Sequence, residues 1–209
     1  MGVLSKSVTL RTCRIWRGSF NKLCSNWNMS LRFIVLGGAR PNFMKLGPLM
    51  EELAHDPDIE AVLVHTGQHY DDNMSGQFFR ELGLPQPRYH LGVGGGSHAQ
   101  QTADIMKRIE PVLVEQKPRA IIVVGDVNST VAGALVAKKL AIDVVHIEAG
   151  LRSFDRSMPE EINRIVTDAI SDLLLVSEES GQVNLLQRSS TVSGPSGRKS
   201  DDRLASASS

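Results

Sequence analysis

Three groups of acidic residues lie in the second half of the chain, and two of them directly follow apolar segments. The segment AIIVVG is followed by Asp126, and the segment VVHI is followed directly by Glu148. Further along, a proline precedes Glu160 and Glu161. Carboxylates that share one cleft can act as a general acid and a general base. Each acid also has a simpler interpretation, because acids commonly cap helices or occupy their first turn.

Basic residues follow an earlier apolar segment, LRFIVLGG, which ends in two glycines. Arg40 comes shortly after this segment, and Lys45 follows it in a helix-patterned stretch. A glycine turn that opens a helix offers free N–H groups and a partial positive charge, which suit a phosphate. The spacing is neither a dinucleotide fingerprint nor a Walker loop. An ordinary strand-to-helix turn with a surface arginine therefore remains an alternative.

Gln68 and His69 follow the next apolar segment, AVLVHTG. Their side chains could hydrogen-bond to a ligand or simply cap the loop. His65 lies four residues before His69, but Gly67 between them indicates a loop rather than a helix face. We therefore do not expect a metal site here.

The elements that must position these residues alternate regularly over residues 29–187. Apolar segments predict strands, and segments with helical spacing between them predict crossover helices, hence a parallel sheet. The expected strands are 31–38, 61–67, 120–126, 143–150 and 172–177, and the expected helices are 41–56, 73–82, 100–116, 129–140, 159–170 and 178–186. The prediction is an α/β domain with a Rossmann-like open parallel sheet and helices on both faces. Ligands bind beyond the carboxyl ends of such strands, so the acids and the Arg40 turn should meet there.

Composition excludes several other functions. Both cysteines, Cys13 and Cys24, lie in the first 28 residues, so residues 29–187 hold no thiol nucleophile and no thiolate zinc site. The same residues are net acidic, which argues against a nucleic-acid surface. No apolar run is long enough for a membrane helix. We therefore expect no nucleic-acid partner and no membrane segment.

The two ends of the chain differ from the middle. Residues 1–28 carry five basic residues and no acid, which fits an organelle transit peptide or an upstream start before Met29. Residues 188–209 are rich in serine and lack apolar periodicity, which fits a natural flexible tail or a shifted reading frame. We expect both segments, 1–28 and 188–209, to be disordered.

Five ordered motifs resemble the UDP-N-acetylglucosamine 2-epimerase family, and the non-hydrolysing branch in particular. They are GARPNFMK (38–45), TGQHYD (66–71), GDVNST (125–130), HIEAGLRS (146–153) and MPEEINR (158–164). The resemblance implies the N-terminal half of a two-domain, glycosyltransferase-B-like fold. It also implies interconversion of UDP-N-acetylglucosamine and UDP-N-acetylmannosamine by elimination and re-addition of UDP. The product of this reaction is implied to serve the synthesis of cell-envelope polysaccharides. The resemblance implies no cofactor and no metal. Full-length members of the family are expected to be homodimers in the cytoplasm.

The resemblance assigns roles to individual residues. Asp126, Glu148 and Glu160 match the catalytic carboxylates, although the resemblance does not say which one is the base. Basic positions near the nucleotide sugar match Arg40, Lys45, Arg152 and Arg164, and the loop linked to a second, activating substrate molecule matches Gln68 and His69. Asn42 departs from many members, which have Glu there, but one branch carries Asn, so we do not infer loss of function.

Alternatives to this function remain open at the level of sequence. One is the hydrolysing relative, which releases UDP and free N-acetylmannosamine. Another is a half-domain that binds a nucleotide sugar or a partner without catalysis. Because the resemblance covers only 29–187, the C-terminal domain is expected to be absent, and the isolated chain is expected to be inactive.

Overall fold

The computed structural model of the chain describes residues 31–67, 76–191 and 204–206, with side chains over 31–67 and 79–187. The first half of the described chain contains β1 (Leu31–Gly37), α1 (Arg40–Ala54), β2 (Ile59–His65), α2 (Gly76–Glu81), β3 (Tyr89–His90) and α3 (His98–Gln116). The second half contains β4 (Ala120–Val124), α4 (Asn128–Lys139), β5 (Asp143–Ile147), α5 (Pro159–Ile170), β6 (Leu173–Val176), α6 (Glu179–Thr191) and β7 (Leu204–Ser206).

The strands form one parallel sheet in the order β3-β2-β1-β4-β5-β6-β7. The order reverses direction at β1, which lies between β2 and β4. Such a switch point creates a crevice beyond the carboxyl ends of the strands. The predicted fold class, a Rossmann-like α/β domain with an open parallel sheet, is confirmed.

Helices cover both faces of the sheet, as the apolar strands predict. Alternate residues of one strand enter different cores: Phe33 and Val35 pack in one, Ile34 and Leu36 in the other. The first core also takes apolar residues from α1 and α2, and the second takes them from α3 and α4. Because both faces are buried, all five residues of β4 are buried and its sequence, AIIVV, is continuously apolar.

The helices differ from the predictions mainly at their ends. α3 begins two residues earlier than predicted, because Ser97 and Gln100 form a reciprocal capping box. β3 spans only two residues, too few for any periodic signal in the sequence. α6 continues to Thr191, past the predicted boundary at residue 187.

The serine-rich tail differs from the prediction of disorder in the two stretches that the structure describes. Residues 188–191 complete α6, and residues 204–206 pair with β6 as a parallel edge strand. An edge strand needs only backbone hydrogen bonds, so it can form without an apolar pattern. The expected disorder of residues 1–28, and of the rest of the tail, concerns residues outside those described. Within the described part of the chain, no helix is both long and apolar enough to cross a membrane.

Candidate active site at the carboxyl edge of the sheet

Asp126 and Glu148 meet where two neighbouring strands end. β4 and β5 are paired in parallel, so the turns that follow them lie side by side. The carboxylate of Glu148 lies over the first turn, because its Oε2 is 3.5 Å from where a Cβ on Gly125 would stand. The structure therefore brings these two predicted acids to one edge of the sheet.

The backbone around these acids has an uncommon conformation. Gly125 has a φ of 71°, and Glu148 has a φ of 68° although it is not a glycine. Residues with a side chain seldom adopt this left-handed conformation, and those that do are enriched at functional sites. The turn that carries Glu148 is thus held by the surrounding structure rather than by local preference.

Each of the two acids faces a cation from a helix. Lys45 on α1 donates from Nζ to Oε2 of Glu148 at 2.6 Å, and the two side chains are 42% and 21% exposed. Arg164 on α5 pairs through Nη2 with Oδ2 of Asp126. Predicted acids and predicted cations are therefore combined into two ion pairs that solvent and a ligand can reach.

Glu160 and Glu161 are adjacent in sequence but have different environments. Glu161 is buried, and its Oε2 accepts hydrogen bonds from the Ser153 amide at 3.0 Å and hydroxyl at 3.2 Å. Burial raises the pKa of Glu161, but hydrogen bonds from Ser153 and Arg164 lower it by a larger amount. The pKa of Glu161 is therefore below its usual value. Glu160 remains half-buried in the first turn of α5. Glu161 thus anchors the loop, and Glu160 is the acid of the pair that stays accessible.

Asn42, the departure from the family pattern, supports the end of β4. Its side chain is buried and donates from Nδ2 to the carbonyl oxygen of Val124 at 2.8 Å. Thr130 donates its hydroxyl to the same oxygen, also at 2.8 Å. An ionised Glu has no proton to donate and could not replace Asn42 in this contact.

The approach to Asp126 is lined by amide side chains. Asn163 donates to the backbone oxygen of Asp126 at 2.8 Å, and Asn128 donates to Oε1 of Gln101 at 2.9 Å. A ring nitrogen of His98 lies 3.3 Å from Oδ1 of Asn128. These contacts join the first turns of α3, α4 and α5 around the predicted acid.

A buried charged network lies directly beneath the acids, and sequence reasoning did not find it. His146 and Asp168 are both buried, with Nδ1 of the imidazole 2.7 Å from Oδ1 of the carboxylate. Arg152 adds a cation, with Nη2 2.7 Å from Oδ2 of Asp168. The available signals were a histidine inside the apolar strand VVHI and an aspartate in the last turn of α5.

The other predicted binding residues differ in how accessible their side chains are. Arg40 is exposed at the first position of α1, at the same edge of the sheet. Arg152 is only 8% exposed and is engaged by Asp168, so its guanidinium is held within the protein. Gln68 and His69 lie outside the described residues, and their proposed role stays a prediction. In the described segments, no cluster of three or more His, Cys, Asp or Glu side chains could hold a metal ion.

A cleft of about 650 Å³ lies beside Arg164, the partner of Asp126. It lies between the loop that follows β5 and the start of α6, and it is lined by Leu151, Arg152, Ser153, Phe154, Arg164, Glu178, Glu179, Ser180, Val183 and Asn184. Arg164 belongs both to this cleft and to the ion pair with Asp126. The volume is in the range of small-molecule sites.

Comparisons with known proteins identify the family of the chain. Residues 51–193 match the sequence profile of the family described as UDP-N-acetylglucosamine 2-epimerase. A UDP-N-acetylglucosamine 2-epimerase homolog from Methanococcus maripaludis is 49% identical over 155 residues, which are 74% of this chain and 43% of the relative. A UDP-2,3-diacetamido-2,3-dideoxy-D-glucuronate 2-epimerase from Pseudomonas aeruginosa is 48% identical over 144 residues, which are 69% of this chain and 41% of that protein.

A solved structure extends the likeness to three dimensions. The UDP-GlcNAc 2-epimerase of Methanocaldococcus jannaschii, in complex with UDP-GlcNAc and UDP, superposes with a TM-score of 0.73 at 48% identity. That match covers 76% of this chain and 44% of the other. The chain spans less than half the length of the relatives it matches. On the sequence profile and these identities, the chain belongs to the UDP-N-acetylglucosamine 2-epimerase family.

Proposed function

We propose that this chain supplies the acid and base groups for epimerisation at C2 of UDP-N-acetylglucosamine. The observation that carries the proposal is the meeting of Asp126 and Glu148 at the carboxyl edge of the sheet, each paired with a cation. The reaction interconverts UDP-N-acetylglucosamine and UDP-N-acetylmannosamine. No metal or nicotinamide takes part in it.

The chemistry requires groups of this kind. A base removes the C2 proton while the bond from C1 to the diphosphate breaks, and the electrons of the C–H bond form the C1–C2 double bond of a 2-acetamidoglucal. UDP then returns to C1 as a proton is delivered to the opposite face of C2. Carboxylates suit both proton transfers, and cations stabilise the charge on the departing diphosphate. Asp126, Glu148 and the half-buried Glu160 are the proposed acid and base groups.

Lys45 connects the acids to the leaving group. Its ammonium is the most exposed member of the two ion pairs, and it holds Glu148 at 2.6 Å. A diphosphate that enters the site would compete with Glu148 for this cation, which would free the carboxylate for proton transfer. Arg40 at the start of α1 and Arg164 beside Asp126 would add positive charge near the same phosphates.

The substrate can vary within this chemistry. The Pseudomonas aeruginosa relative is named as a UDP-2,3-diacetamido-2,3-dideoxy-D-glucuronate 2-epimerase, and it is as similar to this chain, at 48% identity, as the UDP-N-acetylglucosamine 2-epimerase of Methanocaldococcus jannaschii. Both names describe inversion at C2 of a UDP-linked sugar. Hydrolytic release of N-acetylmannosamine and a purely binding role are not favoured by any of these observations. We also propose that the protein acts in the cytoplasm as a homodimer.

The test uses the purified 209-residue chain and then a hybrid protein. We expect the chain to bind UDP in calorimetry but not to turn over UDP-N-acetylglucosamine, because it spans less than half of its relatives. In the hybrid, residues 29–187 replace the matched segment of the Methanococcus maripaludis relative. UDP-N-acetylmannosamine should then form without free sugar. A folded hybrid that binds UDP but forms only free N-acetylmannosamine, or no product, would refute the proposal.

A further inference from the structure

We infer that His146 is a positioning residue that carries a proton on both ring nitrogens and holds the two candidate acids in register. Its imidazole is fully buried in β5, two residues before Glu148. The charge of His146 follows from its own hydrogen bonds and is independent of the proposed function. The importance of that register for catalysis rests on the proposed function.

The first proton is required by a carbonyl group. Nε2 of His146 lies 2.8 Å from the carbonyl oxygen of Gly125. A carbonyl oxygen can only accept a hydrogen bond, so this nitrogen must carry a hydrogen. A bare Nε2 would instead place its lone pair against the oxygen inside a buried site, at a considerable cost.

The second proton is required by Asp168. Nδ1 of His146 lies 2.7 Å from Oδ1, while Oδ2 accepts from the Gly150 amide at 3.1 Å and lies 2.7 Å from Nη2 of Arg152. Burial raises the pKa of Asp168, but hydrogen bonding to His146 and the charges of His146 and Arg152 lower it below its usual range. Because its other oxygen accepts from the Gly150 amide and faces the guanidinium of Arg152, the carboxylate is ionised and accepts a hydrogen from Nδ1. A neutral imidazole has one N–H and could serve only one of the two oxygens.

Charged groups on two neighbouring segments lie near the ring. α5 presents Asp168 and, further towards its start, Arg164, whose guanidinium is shared between Asp126 and Glu161. The loop after β5 presents Arg152, paired with the far oxygen of Asp168. The strand residues in register with His146 on β4 and β6 are apolar, and the first turn of α4 carries no charge. Asp168 is thus the carboxylate in direct contact with the ring.

One side of the network holds the turn that carries Asp126. The amide of Gly125 donates to the carbonyl oxygen of Ile147 at 3.0 Å, and its carbonyl oxygen accepts from Nε2 of His146 at 2.8 Å. Two bonds from β5 therefore hold the residue just before Asp126. Loss of the hydrogen on Nε2 would release one of them and leave the left-handed turn at Gly125 less constrained.

The other side of the network holds the turn that carries Glu148. Oδ2 of Asp168 accepts from the amide of Gly150, two residues after Glu148. Gly150 has a φ of 83°, and its carbonyl oxygen accepts from Asn184 at 2.9 Å. His146 and Asp168 therefore connect both acid-bearing turns through one buried ion pair.

The charge state is tested by NMR on the full 209-residue chain with ¹⁵N-labelled histidine. At pH 7 we expect His146 to show two slowly exchanging ring N–H signals and two nitrogen shifts of the protonated type. These signals should disappear in His146→Gln, which assigns them. One protonated and one bare nitrogen at pH 7 would overturn the inference. The charge state is read from the unmodified protein and the variant serves only to assign the signals, so the result does not depend on activity.

The positioning role is tested with two substitutions that keep different halves of the imidazole. The amide of His146→Gln can reach the position of Nε2 and still donate to Gly125, whereas His146→Asn keeps only a donor near Nδ1. The Asp126 amide signal should shift several-fold more in the Asn variant than in the Gln variant. Thr130→Val is the control, since it removes another side-chain hydrogen bond to a carbonyl at the end of β4.

Two results would refute the positioning role. One is an Asn variant whose Asp126 signal moves no more than in the Thr130→Val control. The other is measured on the unmodified chain and serves if the variants do not fold. When the pH is raised until His146 loses a ring proton, the amide signals of Gly125 and Asp126 should shift together. A ring that loses its proton while those amides stay unchanged excludes a link between them.

Discussion

Replacement of Asp168 by Asn is expected to destabilise the fold by about 3–5 kcal/mol, the usual cost of removing one partner from a buried ion pair. The carboxylate accepts hydrogen bonds from His146 and the amide of Gly150, and it neutralises Arg152. In either orientation, the amide nitrogen of the Asn would face one of these donors. For a chain of this size the loss corresponds to roughly 6–20 °C in melting temperature.

Urea denaturation followed by circular dichroism measures this loss, with Asp143→Asn as the matched control. Asp143 also pairs with an arginine, Arg119, but the side chains of that pair are 27% and 34% exposed. Its removal should cost about 1 kcal/mol or less. If Asp168→Asn is as mild as the control, the buried network does not support the site and the reasoning fails.

The difference in stability between the unmodified chain and Asp168→Asn should depend on pH. Because the pKa of Asp168 is lowered in the folded state, its stabilising effect is complete above the ordinary aspartate pKa of about 3.9. The effect is lost as the pH falls through the lower, folded-state pKa. Below about pH 4, the stability difference between the unmodified chain and Asp168→Asn should therefore shrink as the pH falls. A difference that grows in acid would contradict the assigned charge.

Three further predictions concern the site. Lys45→Met should weaken UDP binding roughly ten- to hundredfold in calorimetry, the value of one hydrogen bond to a charged group, while stability changes by less than about 1 kcal/mol; unchanged affinity would exclude Lys45 from the phosphate site. Glu161→Gln should cost about 1–3 kcal/mol in urea denaturation, and its neighbour control Glu160→Gln less than about 0.5 kcal/mol; equal costs would contradict their different burial. Gly150→Ala should cost about 2 kcal/mol or more, because its φ is positive and a Cβ would overlap the carbonyl of Gly181; a neutral result in thermal melting would show that this turn can relax.

The fold was predictable because its signals are local and repeated. Continuous apolar runs identified the main strands, and the helices between them required parallel pairing. The rule that ligands bind beyond the carboxyl ends of parallel strands then placed Asp126 and Glu148 at one edge. The strands β3 and β7 were missed because two or three residues carry no periodicity, and backbone pairing alone makes them strands.

The partners of the site residues were not predictable in the same way. Lys45 and Glu148 are 103 residues apart in sequence, and only the folded sheet brings them to 2.6 Å. The sequence also does not distinguish Glu160 from Glu161, since both occupy the first turn of α5. Arg152 was predicted to bind substrate, but its low exposure depends on Asp168, a residue that no motif had marked.

The polar side chains inside apolar elements were a signal that could have been used. His146 interrupts a buried strand, and a buried ionisable group requires partners. That argument predicts a buried network at the end of β5 without identifying Asp168 as its acid. Asn42 is similar: its position in the motif was noted, but its hydrogen bond to Val124 could be read only from the structure.

The most direct test of the central claim is proton exchange at C2 of UDP-N-acetylglucosamine in deuterium oxide, followed by ¹H NMR. The enzyme is the hybrid in which residues 29–187 replace the matched segment of the Methanococcus maripaludis relative. If Asp126 and Glu148 carry out the proton transfers, deuterium should enter C2 as UDP-N-acetylmannosamine forms. Replacing either acid by its amide should slow the exchange at least about a hundredfold. Two results would contradict a role of Asp126 and Glu148 in proton transfer. One is a folded hybrid that binds UDP but incorporates no deuterium at C2, and the other is an amide variant that exchanges as fast as the unmodified hybrid.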